Sequence, residues 1–299
     1  MKKITFCINT SNNEKDYLEL LLQSLLNGID INFHDIIVFI DSDNQNTTDM
    51  VVSQKPLFPN LTIIKNIGDT PVNHPMNVNY MFSKAKTDIV SYIQSDMILC
   101  LDYDKKVLSH LEDNMVLCST RVEPPLHSKY DNPITFVQDF GMVPKDFRYE
   151  DFLQFAEAAK DPSKLTNYFF APFTLYKHLW LDIGGHDPIF TRSREDSDIA
   201  MRFCLKKYSL VQCWTAMVYH FTCTSSRGID WWKPENKERE IIRQQTDAEM
   251  LNRFTKKWGT FMHPTSYQDV EPYLETHPNI VDNIIMKNPP IDETKLKIL

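Results

Sequence analysis

Over its first 120 residues the chain alternates short apolar runs with segments of helical spacing, and few folds can accommodate that alternation. Ile4 to Asn9, Ile36 to Ile40, Leu61 to Lys65, Ile89 to Ile93 and Met115 to Cys118 are the expected strands. Between them Leu18, Leu21, Leu22, Leu25 and Leu26, and later Val78, Met81, Phe82 and Ala85, follow the spacing of a helix with one apolar face. Strand, helix and strand in this rhythm predict a parallel sheet covered on both faces, and such sheets collect ligands beyond the carboxyl ends of their strands. Those ends carry Thr10, Asp41 with Asp43, and Asp96, so polar groups from successive strands face one crevice. Taken singly, Asp41 and Asp43 also read as turn openers.

Glycine narrows the chemistry. With seven glycines, the chain contains no Gly-x-Gly-x-x-Gly, Gly-x-x-x-x-Gly-Lys or Gly-x-Ser-x-Gly, which argues against common dinucleotide enzymes, P-loop NTPases and elbow-type hydrolases. No His-Glu-x-x-His occurs either. A net charge of -8 argues against a nucleic-acid partner and leaves an anionic ligand repelled unless a cation screens it. Six cysteines without a Cys-x-x-Cys pair read as small core residues of a reduced compartment. The first strand follows Met1 closely and no apolar stretch reaches 18 residues, so the expectation is a soluble, cytoplasmic protein without signal peptide or membrane span.

Residues 121 to 172 change character, with Pro124-Pro125, Pro133, Pro144 and Pro162, many aromatics and little periodicity. A long insertion of this kind is expected to face a second substrate or, equally, to be a structural excursion over the sheet. Asp182-Ile183-Gly184-Gly185-His186-Asp187 signals a turn, and Glu195-Asp196-Ser197-Asp198 opens a helix that ends at Lys206-Lys207. Acid first and base last suits the helix dipole, which alone accounts for the charge placement. A strand pattern from Leu210 ends in His220, where a histidine is commonly a packed or capping residue. Taken together, Asp96, Glu195-Asp196 and His220 suggest a metal site beside a catalytic base: a carboxylate and an imidazole hold a divalent cation, and a separate carboxylate removes a proton.

These pieces resemble the GT-A glycosyltransferases of the family 2 type, from about Ile4 to Gly259. Ile8-Asn9-Thr10-Ser11-Asn12 looks like the family's opening strand, and Ile40-Asp41-Ser42-Asp43 to Thr47-Thr48-Asp49 like its second strand and turn. Asn77-Val78-Asn79 is similar to its Asn-x-Gly helix, and the Asp-x-Asp metal motif falls on Gln94-Ser95-Asp96, where only the final acid remains. Gly184-Gly185-His186-Asp187 with Phe190 resembles the acceptor-side turn, Glu195-Asp196 the acid pair, His220 the late metal ligand and Lys257-Trp258-Gly259 a common terminal motif.

The resemblance implies a Rossmann-like, mostly parallel α/β sheet flanked by helices, with an acceptor-side insertion and a C-terminal helical extension. Its divisions are a nucleotide-binding half at 1–120, an acceptor-side and catalytic half at 121–225, and the extension with its tail at 226–299. It implies inverting transfer of a single sugar from a nucleoside diphosphate sugar, expected to be a UDP-sugar, to a hydroxyl of a glycan, protein or small molecule. Asp196 is the expected base, with Glu195 beside it; Asp96 and His220 hold Mn2+ or Mg2+. Thr10, Asp41, Asp43, Asn77, Ser95 and Asp96 serve the donor, and Gly185, His186 and Asp187 the acceptor or sugar; Arg121, from its place just past the fifth expected strand, is a candidate for the donor phosphates and more simply reads as a surface ion pair. No Gln-x-x-Arg-Trp of processive synthases occurs. Two other readings stay open: a nucleotide-sugar-binding pseudoenzyme, supported by the altered metal motif, and a sugar nucleotidyltransferase, opposed by the glycine-free segment Asn9 to Asp16.

Overall fold

Each apolar run becomes a strand. A computed structural model describes residues 2–11, 14–42, 45–126, 133–191, 193–222, 233–285 and 291–299. The strands are β1 (Ile4–Thr10), β2 (Asp35–Ile40), β3 (Leu61–Asn66), β4 (Ile89–Gln94), β5 (Met97–Leu99), β6 (Met115–Glu123), β7 (Thr135–Val137), β8 (Asp161–Asn167), β9 (Phe173–Tyr176), β10 (Ser209–His220) and β11 (Leu296–Ile298). The helices are α1 (Lys15–Gly28), α2 (Asn46–Gln54), α3 (His74–Lys84), α4 (Tyr103–Leu108), α5 (Tyr149–Ala159), α6 (Lys177–Asp182), α7 (Glu195–Leu205), α8 (Lys237–Trp258) and α9 (Tyr267–Thr276). The predicted leucine stripe of α1 is buried at Leu18, Leu21, Leu22 and Leu25, each contributing about 1.5–3 kcal/mol, while Leu26 faces outward.

One sheet joins the described strands in the order β11-β3-β2-β1-β4-β9-β6-β10-β5, with β7 on β6 and β8 on β10. From β3 to β4 it is parallel, as the alternation predicts. Beyond β4 it is mixed. β9 runs antiparallel to both β4 and β6, β6 and β10 are parallel to each other, and β5 runs antiparallel to β10. Met115 to Cys118 belongs to β6, which runs in the direction of β4 and is separated from it by β9. A four-residue strand such as Phe173–Tyr176 is too short to show a period. Strand β6 also runs through position 120, so the expected junction there falls inside one strand.

The C-terminal extension is helical through α8 and α9, and its tail then returns to the sheet. β11 pairs antiparallel with β3, Leu296 opposite Asn66 and Ile298 opposite Ile64. Among the described residues no helix is long and apolar enough to cross a membrane. Cys7, Cys100, Cys118, Cys204 and Cys213 are buried and free; Cys223 lies outside the described residues.

Candidate active site

The parallel strands deliver their carboxyl ends to a cleft of about 1230 Å³. Thr10 ends β1, Asp41 follows β2 and Ser95-Asp96 follows β4; all four residues line it. Asn77 of α3, Arg121 of β6, Asp196 of α7 and His220 of β10 close the other walls. Eight of the residues singled out in the sequence thus come together. Asp43 lies outside the described residues.

Asp41 is already committed to the fold. Its Oδ1 accepts from Val72 N at 2.7 Å and Asn66 Nδ2 at 3.1 Å, and its Oδ2 from Asn73 N at 3.2 Å, so it shapes the turn leading into α3. Asn77 is the opposite case. It is 1% exposed, yet neither amide nitrogen nor amide oxygen has a hydrogen-bond partner. A buried carboxamide left this way costs free energy until a ligand satisfies it.

Glu14, His74 and Glu123 are among the cleft residues that the sequence did not single out. Glu14 Oε2 accepts from Ser95 Oγ at 2.7 Å and from Ser11 N at 3.1 Å. Burial, with the nearby Asp96 charge adding to it, pushes the Glu14 carboxyl up to about 7. His74 Nδ1 lies 3.1 Å from Asn9 Nδ2 and 3.2 Å from Tyr92 Oη, and burial lowers its pKa. Glu123 Oε1 lies 2.8 Å from His220 Nδ1. In sequence, Glu14 looks like a helix-start acid and His74-Pro75 like a helix start; nothing local marks their partners.

Asp96 and His220 meet through the backbone as well as through side chains. Met97 pairs with His220 across β5 and β10, and Phe221 N donates to Asp96 O at 3.1 Å. His220 Nε2 stands 3.7 Å from Asp96 Oδ2, beyond a hydrogen bond but within the span of two ligands that each sit about 2.1 Å from one cation. No cluster of three or more His, Cys, Asp or Glu side chains with metal-holding geometry occurs among the described residues. A cation here would therefore draw its other ligands from solvent or substrate, the usual manner of Mg2+-type ions with phosphates.

A second cavity, of about 630 Å³, shares Arg121, Ser193, Asp196 and Asp247 with the cleft. Tyr168, Phe170, Glu195 and His263 are among its other lining residues. Asp196 thus borders both spaces. Glu195 Oε2 is buried without a partner, and burial followed by the charge of Asp196 pushes its carboxyl up to about 8. His263 is held by Ser197 Oγ at Nδ1 (3.0 Å) and by Phe169 O at Nε2 (3.0 Å). Arg121 Nε donates to Ala171 O at 2.6 Å and its guanidinium lies 4.5 Å from the Phe170 ring centre, a cation–π contact on the shared wall.

The structure does not bring Gly185, His186 and Asp187 to either cavity. Gly185 has φ +72°, and a Cβ there would overlap Asn79 Oδ1. His186 is 1% exposed beside Trp180, its main chain held by both atoms of the Asn79 amide at 2.7 and 2.9 Å. Asp187 pairs with Lys257 at 2.8 Å. This turn is scaffold for α7: Arg202 donates to Ile183 O at 2.8 Å and to Gly185 O, while its ion pair with Asp198 closes at 2.7 Å.

The profile of the family described as "Glycosyl transferase family 2" matches residues 6–178, more than half of the chain. No curated protein sequence matches at a significant level. Among solved structures, the mannosyltransferase PcManGT from Pyrobaculum calidifontis, in complex with GDP-Man and Mn2+, superposes with TM-score 0.55 at 14% identity, covering 93% of this chain and 69% of its own. GalNAc-T7 with UDP, GalNAc and Mn2+ gives 0.57 at 12% identity, over 98% of this chain and 60% of its own. TarS of S. aureus gives 0.50 at 16%, over 96% and 51% respectively. At these identities the likeness establishes the shared fold. The chain accordingly spans between about half and two-thirds of the length of the structures it resembles.

Proposed function

Since the chain belongs to glycosyl transferase family 2, we propose that it transfers one sugar from a nucleoside diphosphate sugar in the larger cleft to a hydroxyl acceptor in the smaller cavity. The observation that carries this reading is the position of Asp196 on the wall common to both spaces. A base must touch the acceptor hydroxyl while facing the anomeric carbon, and of the two carboxylates that border both compartments Asp247 is engaged in an ion pair with Arg243.

In this mechanism Asp196 accepts the proton of the acceptor hydroxyl as the oxygen attacks the anomeric carbon. The glycosidic bond to the diphosphate breaks on the opposite face, and the new bond forms with inverted configuration through an oxocarbenium-like state. Asn77, with its unpaired amide, and Thr10 contact the nucleotide sugar, and Arg121 offers a guanidinium edge between the cavities. Asp96 and His220 would hold Mn2+ or Mg2+, which supplies charge neutralisation to the departing diphosphate. The PcManGT and GalNAc-T7 complexes contain Mn2+ with a nucleotide or nucleotide sugar, in support of such a site. UDP-sugars are the first donors to try. Tyr168 and Phe170 offer apolar ring faces and Glu195 a hydrogen-bonding carboxyl, a lining that suits a pyranose acceptor. Tyr168 and Phe170 lie within the segment 121–172 expected to face the acceptor, and Glu195 lies outside it.

The test is a panel of UDP- and GDP-sugars scored for thermal stabilisation and hydrolysis with Mn2+ and with EDTA. A Mn2+-dependent rise in Tm with one donor class is expected, because a ligand of the native state alone must raise apparent stability. Absence of any stabilisation or turnover across the panel would overturn the donor assignment.

A further inference from the structure

Strands β6 and β10 run parallel, with Val122 opposite Tyr219, so Glu123 and His220 emerge together at their carboxyl ends. The Glu123 main chain is fixed independently by pairing with β7, where Gln138 N donates to Glu123 O at 2.9 Å. Its side chain then turns to His220, with Oε1 2.8 Å from Nδ1, while Arg121 Nη1 stands 3.7 Å from the same oxygen. An ionised carboxylate only accepts hydrogen bonds, so this contact requires the proton on Nδ1. Nε2 is the ring nitrogen that faces Asp96.

We infer that Glu123 is a positioning residue: it holds the Nδ1–H of His220 and thereby presents the Nε2 lone pair, together with Asp96 Oδ2, to a divalent cation. The inference rests on the metal reading above and adds to it a residue that no motif marked. Its physical basis is general. A histidine ligand free to rotate or to carry its proton on the ligating nitrogen loses cation affinity, and a carboxylate on the far ring nitrogen removes both freedoms while raising ligand basicity.

The experiment follows the loss of the free-Mn2+ EPR signal as Mn2+ is titrated into the full chain with UDP, and separately with GDP, in wild type, His220→Ala, Glu123→Ala and Glu123→Gln. Glu123→Ala is expected to weaken Mn2+ binding by roughly 10–100-fold, the usual effect of removing a partner of a metal-bound histidine. Glu123→Gln keeps an acceptor oxygen and is expected to lose under about 10-fold. The metal-free Tm of Glu123→Gln should match wild type. Equal Mn2+ affinity in Glu123→Ala and wild type, with His220→Ala weakened, overturns the positioning role alone. Unchanged affinity in His220→Ala overturns the metal site and this inference with it. Should Glu123→Ala fail to fold, the ring protonation of His220 in metal-free wild type at pH 8 still decides the matter. Two-bond proton–nitrogen NMR correlations, assigned by their loss in His220→Ala, should show a proton on Nδ1, and an unprotonated Nδ1 overturns the proposal.

Discussion

At the scale of single residues, neighbouring carboxylates have been given different work by their surroundings. Asp196 borders both cavities, whereas Glu195 faces only the second, its burial holding its carboxyl near pH 8. We predict that Asp196→Asn folds and binds donor normally but turns over roughly 100-fold or more slowly, and that Glu195→Gln is milder. An active Asp196→Asn enzyme beside an inactive Glu195→Gln one would transfer the base role to Glu195. Glu14 makes a second prediction. Its folded pKa near 7 exceeds the ordinary 4.5, so between those values the folded chain keeps a proton that the unfolded chain has lost. The contribution of Glu14 to stability therefore falls as pH rises from about 4.5 to about 7, and the change in metal-free Tm from pH 5 to pH 8 should be less unfavourable in Glu14→Gln than in wild type. Equal changes in the two proteins would show that Glu14 does not titrate there. The sequence revealed Thr10, Asp96 and His220 because each ends an apolar strand, a position with meaning by itself. Glu14 and Glu123 acquire theirs from Ser95 and His220, far along the chain, and a carboxylate carries no local mark of a distant partner.

The elements explain why the terminal Lys257-Trp258-Gly259 accompanies an acidic helix start. Trp258 Nε1 donates to Asp198 Oδ1 at 2.8 Å, and Lys257 bridges Asp198 at 2.7 Å and Asp187 at 2.8 Å. Gly259 ends α8 with φ +71°, where a side chain is strained. The end of α8 thus clamps the first turn of α7, two residues beyond Asp196. The dipole reading of Glu195-Asp196-Ser197-Asp198 is therefore incomplete for Asp198, which is fully buried and paired with Arg202. Removing Asp198 leaves the buried Arg202 without its carboxylate, while Lys257 keeps Asp187, so Asp198→Ala should lose about 3–5 kcal/mol in urea unfolding. Trp258→Phe removes the indole N–H together with part of the buried ring, so the loss of one hydrogen bond to a charged group, about 1.5–3 kcal/mol, is a lower bound. A loss below 1 kcal/mol for Asp198→Ala would mean that this network does not anchor α7. Helical spacing revealed where α7 and α8 lie, but their clamp depends on a meeting between two helices that no single-element period encodes.

Across the whole molecule, the parallel half was legible because its strands are apolar runs of six or seven residues, while in the mixed half β9 and β5 have only four and three residues and antiparallel pairing leaves no mark in the chain order. The return of β11 to β3 was equally invisible: a three-residue strand has too few positions to display alternation. Deleting residues 291–299 should lower the Tm and promote association, since it uncovers the edge of β3; an unchanged Tm with a monomeric profile would show the strand to be dispensable. The joint between β5 and β10 carries a kinetic implication. Asp96 and His220 become neighbours only when Met97 and Phe221 have found their partners across a long loop of chain. Such distant pairings close late, because loop-closure entropy must be met before any contact rewards it. The proposed cation pocket is therefore expected to form on the native side of the rate-limiting barrier. Mn2+ with a bound nucleotide would then leave the refolding rate unchanged and act wholly by slowing unfolding, a partition readable from the two arms of a stopped-flow chevron.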